Sequence, residues 1–281
     1  MVNINEKYLR LEACNVRRGI IEATYNAKSG HPGGSLSAAD LFTYLYFKEL
    51  NIDPKNSKWE ARDRFVLSKG HTAPGLYSVL ANRGFFPVED LATLRGIDSY
   101  LQGHPNMNTV PGVDMSTGSL GQGISTAVGM AKGFKYLNLD NRVYTLLGDG
   151  EIQEGQVWEA FMFASHYKLD NLCVIIDNNG LQIDGSVEDV MSPYPILDKL
   201  NSFGFECQVI DGHSFEEIEN AFIKARNTKE KPFAILMKTT KGKGISFMEN
   251  KASWHGKAPS KDEYIKAMEE LDLEHKKWEG K

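Results

Sequence analysis

The chain has 281 residues, 41% hydrophobic and 25% charged, and its 32 basic against 37 acidic side chains leave a net charge of −5. Such values exclude a disordered or fibrous chain and give no basic surface for nucleic acid, so an anionic ligand must be held by local geometry. No run of eighteen apolar residues and no basic-then-apolar leader is present, and the cysteines (Cys14, Cys173, Cys207) are an odd set without a CxxC pair. The expectation is a cytoplasmic protein with reduced, core or near-core thiols and no membrane span.

From the N-terminus, Leu9, Ala13, Val16, Ile20, Ala23 and Ala27 form one stripe ahead of Gly30, which predicts an amphipathic helix over 5–28. Ser29-Gly-His-Pro-Gly-Gly-Ser35 reads as a loop, followed by a serine-capped helix from about Ser37 to Leu50. The polar stretch 53–63 reads as a surface excursion. Arg64–Ser68 is a short strand that breaks at Lys69-Gly-His-Thr-Ala-Pro74, with a helix over 75–83. Residues 84–117 hold breakers but little periodicity, the mark of a functional segment in a globular domain, and they contain Gly103-His-Pro105. Ser116-Thr-Gly-Ser-Leu-Gly-Gln-Gly123 leads into a small-residue helix over 124–137, so its backbone N–H groups make a ready anion site.

The centre of the chain is a strand, turn, helix, strand unit. Val143-Tyr-Thr-Leu-Leu ends in Gly148-Asp-Gly150, a helix spans Gln153–Lys168, and Leu172-Cys-Val-Ile-Ile ends in Asp177-Asn-Asn-Gly180. Parallel crossovers bring both strand ends to one edge of the sheet, where ligands of open α/β sheets bind, so Asp149 and Asn179 are expected to meet there. The donors suit a hard cation: a carboxylate oxygen from Asp149, an amide oxygen from Asn179 and a carbonyl from the turn at Leu181, with room left for diphosphate oxygens. Gly150 lets backbone N–H approach that diphosphate. The rival reading, a helix N-cap and an asparagine turn, fits either half alone better than both together. Further on, a helix is expected over 192–203, a strand over 206–210, a helix over 215–227 and a strand over 232–238. The last strand ends in Thr239-Thr-Lys-Gly-Lys-Gly244 ahead of Ser253-Trp-His-Gly256, and Ser260-Lys-Asp-Glu263 is a capping box for a charged helix over 261–278. The fold class is α/β, a doubly wound, mostly parallel sheet flanked by helices. The domain is expected over 1–258, with 259–281 a charged helix belonging to it or appended to it.

Gly-Asp-Gly followed about thirty residues later by Asn-Asn-Gly resembles the thiamine-diphosphate motif. Ser29–Gly34, Leu67-Ser-Lys-Gly-His71, Gly103–Pro105, Ser116–Gly123, Lys238–Gly244 and Ser253–Gly256 together resemble transketolase over about residues 10–258. The resemblance covers the diphosphate-binding domain alone. It implies the N-terminal subunit of a split transketolase, whose C-terminal partner carries the pyrimidine domain and the cofactor-activating glutamate, in an α2β2 assembly of the pentose phosphate pathway acting on sugar phosphates. It also implies Asp149, Asn179 and the Leu181 carbonyl as ligands of Mg²⁺ (Ca²⁺ or Mn²⁺ as alternatives). Lys69, His71, Gly118, Leu120, Gly150, Lys241 and His255, with Ser119 and Glu151 beside them, would bind the cofactor. His31, His104 and His255 would face the substrate, and Glu154 would answer the partner's activating glutamate. Imidazoles with pKa near neutrality suit the proton transfers of ketol transfer. His166, His213 and His275, outside any motif, are expected to be structural, Lys243 surface charge, and Trp158 and Phe161 packing residues. Related readings are a deoxyxylulose-phosphate synthase or an unusual-sugar ketol transferase. A nicotinamide oxidoreductase is disfavoured because no strand is followed by G-x-G-x-x-G, and a non-catalytic binding module is the remaining class.

Overall fold

Five apolar runs pair in parallel into one sheet in the computed structural model, which describes residues 5–281; residues 1–4, where the expected domain begins, lie outside the described residues. The strands are β1 (Arg64–Leu67), β2 (Val143–Gly148), β3 (Leu172–Asn178), β6 (Glu206–Asp211) and β7 (Phe233–Lys238), in the order β1-β2-β3-β7-β6. Two-residue strands β4 (Leu181–Gln182) and β5 (Gly185–Ser186) make a separate antiparallel hairpin. Register aligns Gly148 with Asp177, and Asn178 and Asp211 with Lys238, so the polar strand ends share one edge.

Strand residues alternate between two cores, as the two-residue period requires. Phe65, Leu67, Tyr144, Leu146, Cys173, Ile175, Phe233 and Ile235 pack on one face, beneath α1 (Glu6–Ala27), α3 (Ala39–Tyr44), α4 (Ala73–Arg83), α9 (Phe215–Asn227) and α10 (Lys261–Glu279). Val66, Val143, Leu147, Val174, Ile176 and Leu236 pack on the other, beneath α5 (Gln122–Tyr136), α6 (Gly155–His166) and α8 (Ile196–Ser202). Helices on both faces explain why these strands read as unbroken apolar runs rather than alternating ones. The fold is the doubly wound α/β class. Cys14 and Cys173 are buried and Cys207 half-buried, all as free thiols. Among the described residues no helix is long and apolar enough to cross a membrane.

Several boundaries differ from the sequence reading. Residues expected as a histidine-bearing loop instead enter α2 (Pro32–Ser37), because proline at the first helical position presets φ and has no N–H to lose. The expected single helix 37–50 is interrupted at Ala38 (φ −95°, ψ 1°), where Ser37 Oγ turns to Asp177 Oδ2 (2.5 Å), and it finishes as a π-turn over Leu45–Glu49. The helix expected from Ser192 begins at Ile196, since Pro193 and Pro195 disfavour helix through the residues before them. Short α7 (Val187–Met191) and the β4–β5 hairpin lie in a stretch too short to show periodicity. The segment 84–117 is irregular apart from a 3₁₀ turn at Val88–Thr93. α10 begins with the capping box and packs on α1: Ala267 and Leu271 enter the core, Tyr25 stacks on Tyr264, and Arg18 Nη2 lies 2.6 Å from Asp272.

Candidate active site

Parallel strands ending in glycine and a short polar side chain place chemistry at a sheet edge. At the end of β2 the Asp149 carboxylate, 3% exposed, accepts from the N–H of Gly150 (2.9 Å) and of Gly180 (2.6 Å) and from Asn178 Nδ2 (3.0 Å). The two strand ends therefore meet as anticipated, but through Asn178 and Gly180, the residues either side of Asn179. Asn179 Oδ1 accepts from Leu181 N (3.1 Å), and the Leu181 carbonyl accepts from Lys241 Nζ (3.1 Å). Among the described residues no group of three His, Cys, Asp or Glu side chains converges as in a metal centre built from such side chains alone. The donor set is instead one carboxylate, one amide oxygen and one carbonyl, each with lone pairs to spare. It fits a hard divalent cation that keeps further positions for a ligand's oxygens. Burial and then the neighbouring Asp177 carboxylate push the Asp149 pKa up, against the three donors, and a bound cation would reverse that.

Behind this set lies a carboxylate that the sequence reading passed over. Asp177, fully buried, accepts from Lys69 Nζ, Ser37 Oγ, Thr239 Oγ1 and Asn179 Nδ2. Burial alone would raise its pKa, but Lys69 and the hydroxyl donors outweigh it and hold the carboxyl below its ordinary range. Its signal was present, a charged residue closing an apolar strand, but the adjoining asparagines masked it. Lys69 also donates to the Gly34 carbonyl (3.2 Å). Glu151, expected to bind cofactor, lines the cavity but spends both carboxylate oxygens internally, accepting from Ser68 Oγ (2.5 Å), Gly121 N (3.0 Å) and Gly148 N (3.0 Å). It ties the 116–123 turn to the ends of β1 and β2.

His71 and His255 line the remaining opening, and His31 packs against both. The rings of His31, His71 and His255 have centroids 5.0–5.5 Å apart. Burial, followed by neighbouring cations and imidazoles, lowers all three pKa values: His31 to about 4, His255 to about 3, and His71 well below its usual value. They are neutral imidazoles at pH 7, and His31 Nδ1 is buried without a partner. Lys241 Nζ lies 3.2 Å from His255 Nδ1, and burial and then Lys69 lower the Lys241 pKa to about 8. His104 stands against Gly118 (φ +155°), where a Cβ would lie 3.1 Å from the imidazole ring, and burial lowers its pKa also. Gly70 meets the same turn from below: a Cβ there would come within 2.7 Å of Gly118 N. Only glycines let the 116–123 turn lie so close over the end of β1.

A cavity of about 180 Å³ opens between these groups, lined by Lys69, His71, Leu120, Asp149, Asn179, Leu181, Lys241 and His255. Gly150 and Glu154 also border it. A Cβ at Gly150 would crowd the Gln182 side chain at 3.3 Å, and the Gly150 N–H is engaged by Asp149 rather than open. Glu154 and Ser119 are exposed, Glu154 at the start of α6 and Ser119 on the turn outside the cavity lining. Phe161 is buried, and Trp158 packs edge-on against it while donating Nε1–H to the Ile152 carbonyl (2.9 Å), so both are packing residues.

Comparison with known proteins agrees with this geometry. The family described as "Transketolase, thiamine diphosphate binding domain" matches residues 10–279. The chain is 44% identical over 266 residues to a 6-deoxy-6-sulfo-D-fructose transketolase subunit of Clostridium sp. (strain MSTE9), covering 95% of this chain and 97% of that one. It is 42% identical over 263 residues to an apulose-4-phosphate transketolase subunit of Phocaeicola vulgatus, covering 94% and 93%. Against human transketolase it is 45% identical over 269 residues, spanning 94% of this chain but 42% of the relative. The crystal structure of transketolase from Campylobacter jejuni superposes with a TM-score of 0.86 at 34% identity, over 99% of this chain and 48% of that one. The chain thus spans about half the length of such single-chain relatives and nearly the whole of the subunit-type ones. A thiamine-diphosphate-binding domain of the transketolase family, of the N-terminal subunit type, is what this sequence encodes.

Proposed function

We propose that this chain holds Mg²⁺ and the diphosphate of thiamine diphosphate and, with a separate C-terminal subunit, transfers a two-carbon ketol unit from a ketose phosphate to an aldose phosphate. The observation that carries the reading is the three-oxygen set of Asp149, Asn179 and Leu181 beside two buried lysines, Lys69 and Lys241, on one sheet edge. In a chain of net charge −5, Lys241, which has no carboxylate partner among the described residues, is the local cation that suits an anionic ligand, with Lys69 beside it paired to Asp177. Asp149, Asn179 and the Leu181 carbonyl would hold the divalent cation, for which Ca²⁺ or Mn²⁺ are alternatives. Lys241 and the N–H groups around Gly118, Ser119 and Leu120 would neutralise and orient the diphosphate, with Gly150 and Lys69 bordering it, the Gly150 N–H held by Asp149 and Lys69 by Asp177. When bound, thiamine diphosphate supplies the electron sink that bond cleavage needs. His31, His104 and His255, neutral at pH 7, would hydrogen-bond substrate hydroxyl and carbonyl oxygens, and His71 would line the cofactor; pKa values of about 4 for His31 and about 3 for His255 lie below the near-neutral values expected from sequence and make these two rings weak proton acceptors.

The partner is supported by size and surface. Ligand sites enclose about 300–1,000 Å³, so the 180 Å³ cavity reads as one wall of a site. Beside it, Leu120 is 37% exposed and Glu154 is exposed, while Tyr136, Leu137 and Met162 on the α5–α6 side are 60–79% exposed. An α2β2 assembly, a cytoplasmic location, a place in the pentose phosphate pathway and residues 259–281 as part of the same domain complete the proposal. A second reading, ketol transfer on a less usual sugar, is favoured by the sulfosugar and apulose enzymes among its relatives.

A donor screen on the reconstituted complex tests both. Turnover of D-xylulose 5-phosphate supports the first reading, and exclusive use of 6-deoxy-6-sulfo-D-fructose or an apulose phosphate supports the second. Consumption of pyruvate alone would sink both, and turnover by the isolated chain would remove the partner.

A further inference from the structure

His213, expected from the sequence to be structural, sits in the turn between β6 and α9, against the 239–244 loop and outside the cavity lining. Its Nε2 accepts the backbone N–H of Thr240 (2.9 Å), and its Nδ1 lies 2.8 Å from Asp40 Oδ2. A backbone N–H can only donate, so Nε2 carries the lone pair and the ring proton is on Nδ1, donated to Asp40. Asp40, 1% exposed, also accepts from Arg17 Nη1 (3.2 Å) and Nη2 (2.6 Å). Burial works against its charge, but Arg17 and His213 overcome that and hold the carboxyl well below the usual range. Arg17 Nε in turn donates to the Lys243 carbonyl (3.1 Å). One buried cluster thus grips the loop at two points, the N–H of Thr240 and the C=O of Lys243. Between them stands Lys241, whose ammonium reaches Leu181 O and His255. An apolar side chain at 213 would fill the same space; the imidazole adds a fixed acceptor for the residue preceding Lys241.

We propose that His213, oriented by Asp40 and Arg17, is a positioning residue that fixes the 239–244 loop and thereby the direction of the Lys241 ammonium in the cofactor site. This rests on the reading above that Lys241 faces the diphosphate.

Two substitutions separate the ring's two bonds. His213→Asn can still donate to Asp40 but has no acceptor within reach of Thr240, whereas His213→Gln carries an amide oxygen where Nε2 was. Thiamine diphosphate with Mg²⁺ is titrated calorimetrically into the complex reconstituted with the C-terminal subunit, and amide deuterium exchange of the full chain is followed without ligand. The expected result for His213→Asn is about tenfold faster exchange confined to 239–244 and about tenfold weaker cofactor binding, with His213→Gln recovering most of both. Unchanged exchange and affinity overturn the proposal. So does a fall in melting temperature with faster exchange throughout, or an equal defect in both variants, which would make the role one of packing. Failure of the wild-type complex to bind thiamine diphosphate would instead count against the cofactor reading, and the exchange data would still decide whether His213 fixes the loop.

Discussion

Two polar clusters share the carboxyl edge of this sheet and differ in how completely they are satisfied. Around Asp177, four donors converge on one buried carboxylate, and Lys69 finds both a counter-charge and the Gly34 carbonyl. Around His31, His71 and His255, three imidazoles face one another with depressed pKa values, and His31 Nδ1 is buried with no partner at all. A saturated cluster fixes backbone; an unsaturated one keeps hydrogen-bonding capacity that a ligand or water can complete. The pairing explains how a rigid site can stay receptive.

The largest effect should come from breaking the saturated cluster. Asp177→Asn leaves the Lys69 ammonium buried without its counter-charge and should cost about 3–5 kcal/mol in urea unfolding. A cost no larger than that of a substitution among the histidines would erase the difference between the two clusters. Next comes Asp149→Ala, which removes the one carboxylate of the proposed cation set. Affinity for thiamine diphosphate with Mg²⁺ should fall by more than about 100-fold, whereas loss of a group that only orients a metal ligand costs about 10–100-fold. Retention of metal-dependent stabilisation in a thermal melt would rule out Asp149 as a ligand.

The smallest effect is the pH dependence of the open cluster. His31 and His255 have folded pKa values of about 4 and about 3, below the unfolded value near 6.5, so the unfolded chain takes up protons first as pH falls. Stability is therefore unaffected by these groups above about pH 6.5 and is lost as pH drops from there through 4 towards 3. His31→Gln should leave stability at pH 7 within about 0.5 kcal/mol and make the acid limb shallower. An unchanged acid limb, followed by urea unfolding at several pH values, would show that His31 titrates normally.

Much of the site was legible because its glycines, histidines and carboxylates sit in short runs at the ends of apolar strands. Asp149, Asn179 and Leu181 could be placed near one another from a crossover argument alone, since register in a parallel sheet follows from the apolar pattern. Asp177 and Asn178 were harder to read, because a polar residue at a strand end has the same local signature whether it caps a turn or anchors a lysine. Glu151, which the resemblance put beside the cofactor, lines the cavity, and its bonds to Ser68 and two backbone N–H groups could be read only from the fold.

What the sequence determined by itself was the doubly wound class, the order of its elements and the family, because apolar runs, glycine turns and motif spacing are local properties carried along the chain. What only the tertiary structure decided was which polar groups are spent and which are left over. His213 passed as an ordinary structural histidine in sequence, and its place behind Lys241 depends on Asp40 and Thr240, which lie 173 and 27 positions away. Hydrogen-bond satisfaction is a property of neighbours in space, and no periodicity along the chain encodes it.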